Sequence, residues 1–160
     1  MSRKKAFEEG QAPRVTLYHG TGRPGQAPVD PETFRRHGID VGRAVSDPGK
    51  VWATTAPTHQ PEHWVHGSGW GDEYRQPSWS HVVEFQMPRS EYESYQRAPI
   101  QGGRSENVMI PRSIRPEEIT NIHDVHALHG ERIARAQELE KAKWAEMNAP
   151  KKPRKRTKKS

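Results

Sequence analysis

The chain has 160 residues, of which 31% are hydrophobic, with a mean hydropathy of −1.09 and no cysteine. That length fits one modest domain with appendages, and the low apolar fraction implies that part of the chain stays outside the core. The missing cysteine excludes a disulfide framework, a thiolate zinc site and a cysteine nucleophile. No stretch approaches the roughly 20 apolar residues of a membrane span. The net charge is +6, yet seven of the 26 Lys and Arg lie in the last ten residues, which leaves 19 basic against 20 acidic residues elsewhere. A basic tail, and not a basic domain, therefore sets the charge balance. The opening residues lack the apolar segment of a signal peptide, and absence of cysteine suits a reducing compartment, so a cytoplasmic protein is expected.

Residues 1–13 are polar and read as a flexible leader. Arg14 to His19 alternates and is β-prone, and predicts the first strand, which Gly20, Gly22, Pro24 and Gly25 end. Asp30 to Gly38 predicts a short helix with Asp30 as N-cap, Pro31 in the first turn and Gly38 as the stop. Lys50 to Thr55 reads as a strand. A short helix is expected near Pro61 to His66, followed by an irregular loop. Ser80 to Met87 carries the strongest strand signal. Glu91 to Gln96 reads as a helix or turn, Ala98 to Arg104 as a Gly-rich loop, and Glu106 to Ile110 as a strand. Ile114 to Ile122 holds one helical turn beginning at Pro116. From Glu131 to Met147 a weak apolar stripe predicts a helix, one that packs loosely or docks on a partner. The expected division is a leader at 1–13, a domain at 14–126, a C-terminal helix at 127–149 and a basic tail at 150–160. Strands dominate and the helices between them are short, which is an α+β pattern without the strand–helix alternation of a doubly wound sheet.

Three segments carry the chemistry. In Leu17-Tyr18-His19-Gly20-Thr21, a histidine at a strand end can donate a hydrogen bond to a ribose hydroxyl. Gly20 lets a ligand amide approach its backbone closely, and Thr21 adds a hydroxyl. In Val51-Trp52-Ala53-Thr54-Thr55, Trp52 offers a flat π face, with Thr54 and Thr55 as polar lining. Should Trp52 belong to the core, Tyr74 or Trp64 would do the stacking. In Ser105-Glu106-Asn107-Val108-Met109-Ile110-Pro111, Glu106 opens a strand after the Gly102-Gly103 loop. A carboxylate there can stabilise a developing ribosyl cation.

These three segments, in this order, resemble the signature segments of the ADP-ribosyltransferase superfamily, in the branch that uses His, an aromatic and Glu. The resemblance runs from Arg14 to Val125 and is dense only in the segments quoted. It implies a small split-sheet fold with a C-terminal helix, NAD as co-substrate, and a mono-ADP-ribosyltransferase of bacterial or phage type. On that resemblance His19 would bind the adenosine ribose, Gly20 the nicotinamide, and Thr21, Trp52, Thr54 and Thr55 would complete the dinucleotide site. His19, Trp52 and Glu106 would be the catalytic set. Two departures stand out. Trp52 replaces the usual Tyr, and Arg104 stands two residues before Glu106, where toxin-like members that modify Arg or Asn usually carry Gln or Glu. Arg104 could face a phosphate or a carboxylate. The acceptor stays open among protein side chains, nucleic acids and small molecules.

Two other readings stand beside it. An NAD-dependent RNA 2′-phosphotransferase would need a second His and a basic residue, for which His81 and Arg112 are the candidates. A nucleic-acid-associated or virion structural protein on the same fold would use the last helix and Lys151 to Lys159, whose charge can release counterions from nucleic acid or dock on an acidic partner. The tail is equally readable as a solubilising one. The runs His59, His63, His66 and His123, His126, His129 read as solvated polar faces, and no metal is expected.

Overall fold

The computed structural model describes residues 12–23, 29–43, 49–64, 75–100 and 102–150. The leader up to residue 11, His66, Tyr74 and the tail from Lys151 onward lie outside these. Six strands form a single antiparallel sheet: β1 (Arg14–Thr21), β2 (Val51–Thr54), β3 (His81–Pro88), β4 (Gln96–Pro99), β5 (Glu106–Ile110) and β6 (Ile119–Asp124). The order across the sheet is β4-β5-β2-β1-β3-β6. Among the described residues three α-helices accompany it: α1 (Pro31–His37), α2 (Arg89–Glu93) and α3 (Val125–Asn148). The α+β expectation holds at this level: one open antiparallel sheet and a C-terminal helix.

Side chains alternate across a pleated sheet, so register decides what each face holds. Val15 and Leu17 of β1, Val83, Phe85 and Met87 of β3, Val51 and Ala53 of β2, and Val108 and Ile110 of β5 all fall on one face and are buried together. Phe34 of α1, Ile39, Ile114 and Tyr92 of α2 cover that face. The opposite face carries a smaller cluster, in which Trp64, Val82 and Val125 are buried with Tyr18 and Trp79 against them.

The sheet is not equally continuous throughout. β1 pairs with β3 over eight residues, from Arg14↔Pro88 to Thr21↔His81. Between β1 and β2 only Tyr18↔Thr54 pair. The sheet is thus split into β4-β5-β2 and β1-β3-β6, joined at one residue pair in the middle.

Local signals set the elements. Asp30 caps α1 by accepting from the Glu32 amide at 3.0 Å, and Pro31 fills the first turn. Gly38 ends it at φ +70°, and a Cβ there would lie 1.9 Å from the Ile114 carbonyl oxygen, so only glycine fits the turn. Immediately beyond it, Ile39 and Ile114 bridge and bring α1 onto the sheet. Two strands escaped the sequence reading. The stretch read as a Gly-rich loop begins as β4, and the residues that follow the helical turn at Pro116 form strand β6, which ends at Asp124. Pairing overrode local preference in both cases: β4 is exposed along its length and exists because β5 pairs with it from Gln96↔Met109 to Pro99↔Glu106. Near Pro61 the expected helix is a single 3-10 turn, Pro61–His63. The last helix starts at Val125, two residues earlier than expected, because Asp124 caps it through the Ala127 amide at 2.9 Å. Beyond Ala136 every described residue of it is exposed, so the weak stripe finds nothing to pack on.

Arg112 ties the exit of β5 to its surroundings. Its guanidinium donates to both oxygens of Glu118 at 2.7 and 2.8 Å and to both oxygens of Glu91 at 2.7 and 3.1 Å. Burial alone would raise the Glu118 carboxyl, but the bonds from Arg112 and from the Arg115 amide and side chain outweigh it and hold the group at about 2. A carboxylate depressed in the folded state stabilises the fold above its unfolded value near 4.5 and loses that contribution as pH falls from there toward 2. Glu118→Gln should therefore lower urea stability at pH 7 by about 1–3 kcal/mol. It should also flatten the fall in stability between pH 4.5 and 2 that the wild type shows; an unchanged acid limb in the variant would refute this assignment.

Candidate functional site

A cleft of about 1240 Å³ opens where β1 and β2 part. His19, Gly20, Thr21, Trp52 and Thr54 all line it, although β1 and β2 are some thirty residues apart in sequence. Five of the expected site positions are thereby brought together. Thr55 and Glu106 do not line it, but Asn107, the next residue of β5, does. The remaining wall comes from α1 and the turns after it, with Phe34, His37, Asp40, Arg43 and Lys50, and from Arg23 and Trp79.

The split has a local cause. The Thr55 amide donates to the Glu106 carbonyl at 3.0 Å, so the odd residues of β2 turn their backbone polar groups to β5 and the even ones, Trp52 and Thr54, turn theirs to β1. Thr54 meets Tyr18. At Trp52 the ladder stops, and its carbonyl accepts from the His19 ring at Nδ1, 2.7 Å away. A carbonyl only accepts, so Nδ1 carries the proton. Burial of the ring lowers the His19 pKa, partly offset by that bond, so the imidazole is neutral and Nε2 holds a lone pair. The ring donates within the fold, to Trp52, and its Nε2 is left as a hydrogen-bond acceptor, where the sequence suggested a donor. By the same alternation Gly20 turns its N–H and C=O toward β2, two residues past the last β1–β2 pair, where the strands have separated.

Gly20 is needed for a further reason. A Cβ there would lie 2.3–2.4 Å from the Trp79 indole, so the missing side chain makes room for an aromatic of the protein itself. The Arg23 guanidinium stands 4.7 Å from the centre of the Trp79 ring. Trp79 escaped the sequence reading because it sits in a segment without periodicity, and only the strand pairing of Gly20 with Val82 brings it over β1. Trp52 is 42% exposed and stands in the cleft. Trp64, its alternative, is buried against Val82 and Val125 in the smaller cluster and does not line the cleft. Tyr74 lies outside the described residues.

Glu106 shares the face of the sheet that carries His19, because Tyr18, Thr54 and Asn107 are aligned across β1, β2 and β5 on the other. Its backbone is held on both sides of the peptide: its carbonyl accepts from Thr55, and its amide donates to Thr55 Oγ1 at 2.9 Å. Thr55 is thus an anchor for Glu106 and not a lining residue. The carboxylate accepts from the Tyr92 hydroxyl and pairs with Arg97 at 3.4 Å, both through Oε2. Arg104, expected to face an anionic group, is exposed in the hairpin loop, and Arg97 of β4 is the arginine that reaches the carboxylate.

The histidines are not solvated faces throughout. His59 and His123, one from each run, stack with ring centres 3.7 Å apart and planes 9° from parallel, and Tyr18 lies 5.3 Å from His59. His123 Nε2 pairs with Glu84 at 3.1 Å, and Thr120 donates to the same carboxylate at 2.8 Å. Burial and the neighbouring His123 lower the His59 pKa, and the Glu84 carboxylate holds the His123 end of the stack. His63 and His126 are exposed as expected. Among the described residues no group of three or more His, Asp or Glu is arranged to hold a metal ion. Arg112, needed by the phosphotransferase reading, has its guanidinium taken up by Glu91 and Glu118, and His81 contacts Ser80 and Asp124. The two are not joined in a phosphate site.

No protein-family model, no curated protein and no solved structure matches this chain.

The contact between Trp79 and Gly20 yields a direct test. Gly20→Ala should cost about 1–3 kcal/mol through overpacking. In a Trp79→Ala background the same substitution should cost less than half as much, because the clashing ring is gone. Equal costs in both backgrounds, measured by urea unfolding, would refute the contact.

Proposed function

We propose that the chain is an NAD-dependent mono-ADP-ribosyltransferase. One observation carries the reading: the parted strands set His19, Gly20, Thr21, Trp52 and Thr54 around a single cleft, with Glu106 on the face that carries His19. The split between β1 and β2 also agrees with the split sheet that the family resemblance implies. A cleft of this size suits a dinucleotide, and Arg23, Arg43 and Lys50 along it suit the charge of a diphosphate.

In this reading the carboxamide of nicotinamide pairs with the Gly20 N–H and C=O, which face the parted strand, and the nicotinamide ring lies on the exposed Trp52 indole. The adenosine ribose donates a hydroxyl to His19 Nε2. As the bond between nicotinamide and ribose C1 breaks, its electron pair leaves with nicotinamide, and positive charge develops on the ribose. The Glu106 carboxylate stabilises that charge and holds the ribose 2′-hydroxyl. The acceptor then bonds to C1 and gives up its proton. Loss of the family's Tyr at Trp52 exchanges one flat ring for a larger one and leaves the stacking role intact.

Incubation of the full chain with NAD tests this directly. Nicotinamide release and transfer of label from NAD to protein or nucleic acid in a cell extract are the expected results. Glu106→Gln should bind NAD within a few-fold of wild type but release nicotinamide about 100- to 1000-fold more slowly, as loss of one preorganised electrostatic contact does elsewhere. A wild-type protein that neither binds NAD nor releases nicotinamide sinks the proposal.

A further inference from the structure

We infer that Tyr92 and Arg97 are positioning residues for Glu106, and that they present one oxygen of its carboxylate to the ligand by holding the other. The role rests on the transferase reading above. Tyr92 and Arg97 both contact Oε2, which leaves Oε1 without a partner among the described residues. The side chain of Glu106 is 42% exposed, and an exposed glutamate at a strand end normally samples many rotamers. Here the backbone is fixed by Thr55 on one edge and by the Pro99↔Glu106 pair on the other, and the carboxylate by two donors. That much restraint on a surface glutamate has no counterpart in the packing, which Glu106 does not join.

The donors are themselves held. Tyr92 is 4% exposed, packed into the main core from α2. The Arg97 guanidinium lies 5.1 Å from the centre of the Tyr92 ring, so the two form a stacked pair whose polar ends meet at one oxygen. Burial, and then the bond to Glu106, raise the Tyr92 pKa, so its hydroxyl stays protonated and donates at neutral pH. Arg97 adds a positive charge beside the same oxygen. A carboxylate clamped at one oxygen by a core residue needs no reorganisation when charge develops beside the other, which is the condition for strong electrostatic stabilisation. Neither residue lines the cleft, and Glu106 stands beside it, next to the lining residue Asn107, so on the transferase reading their influence passes through the Glu106 carboxylate.

Steady-state nicotinamide release from NAD by full-length wild type, Tyr92→Phe, Arg97→Gln and Arg97→Lys tests the role. Tyr92→Phe keeps the buried ring and removes only the hydroxyl, and Arg97→Gln alters a side chain on an exposed edge strand. Each should lower kcat about 10- to 100-fold, the penalty of a misplaced catalytic group. KM for NAD should change no more than a few-fold, because Glu106 acts on the transition state more than on binding. Arg97→Lys should retain more activity than Arg97→Gln. Unchanged kcat in both Tyr92→Phe and Arg97→Gln overturns the inference, as does a loss that appears in KM instead of kcat. If Tyr92→Phe proves unfolded by thermal melting, Arg97→Gln decides alone. A wild-type protein without nicotinamide release overturns the transferase reading itself, an outcome separate from a wild type that works beside variants that work equally well.

Discussion

A single hydrogen bond, from the His19 ring to the Trp52 carbonyl, governs the middle of this molecule. Backbone carbonyls at the centre of a sheet almost always meet backbone amides, because an unpaired polar group buried there is costly. Here an imidazole takes the place of an amide. A side chain cannot reach the carbonyl across a strand spacing of about 4.8 Å in the usual ladder without the strands moving apart. Satisfying Trp52 through His19 therefore goes with the parting of β1 from β2, and the parting is the cleft. The same bond fixes the tautomer of His19. Pairing at Tyr18↔Thr54 keeps the two halves of the sheet in register on one side of the opening, and the common apolar face keeps them in one core.

The two faces of the sheet do different work. One is apolar from β6 to β5 and supplies rigidity, with Arg112 clamping two carboxylates at its border. Interlocking of this kind holds side chains near one geometry, which is what a site on strands offers over a site on loops. The other face is mixed: Trp79 over Gly20, the His59–His123 stack and Glu84 with its donors. His19 and Glu106 project on the first face while Trp52 and Thr54 belong to the second, so a ligand in the cleft would pass through the gap in the sheet and meet both. The transferase reading uses that crossing. Charge chemistry would sit on the rigid side, and the stacking surface on the side where aromatics are exposed.

Much of the fold was legible in the sequence, and the reasons are local. The alternation of Arg14 to His19 and Ser80 to Met87 marked the two strands that pair over their full length. Asp30, Pro31 and Gly38 marked both ends of α1 because capping is chemistry of single residues. What was not legible depends on partners distant in sequence. β4 has no apolar alternation, since an edge strand with both faces exposed needs none, and it was read as loop. β6 carries polar residues at Thr120, Asn121 and His123, because the face they occupy is not the core. For the candidate site the same division holds. His19, Gly20, Trp52 and Glu106 announce themselves by residue type and order. Trp79, Tyr92 and Arg97 do not, because each matters only through the residue it lies against. Arg104 was singled out by its nearness in sequence to Glu106, whereas Arg97, nine residues away, is the one that the hairpin carries alongside it.

That hairpin also bears on why Glu106 stands where it does. A residue's amide and carbonyl turn to the same side of a strand, so both backbone groups of Glu106 are met by one neighbour, Thr55. β4 reaches Glu106 through Pro99, and β2 reaches it through Thr55 just past its own end. Proline at the matching position of β4 has no amide to offer and blunts the edge against further pairing. On the other side the Thr55 hydroxyl oxygen accepts from the Glu106 amide, and the Thr55 amide donates to the Glu106 carbonyl. Glu106 is thus the first fully fixed residue of β5 after the Gly102-Gly103 turn, whose residues take φ values of +106° and +74°. A carboxylate one residue earlier would ride on the turn, and one residue later would point to the opposite face. Val108 and Ile110 share this face but lie in the apolar core, so Glu106 is the position of β5 that joins a fixed backbone to the face of His19 outside the core, the combination that the transferase reading requires.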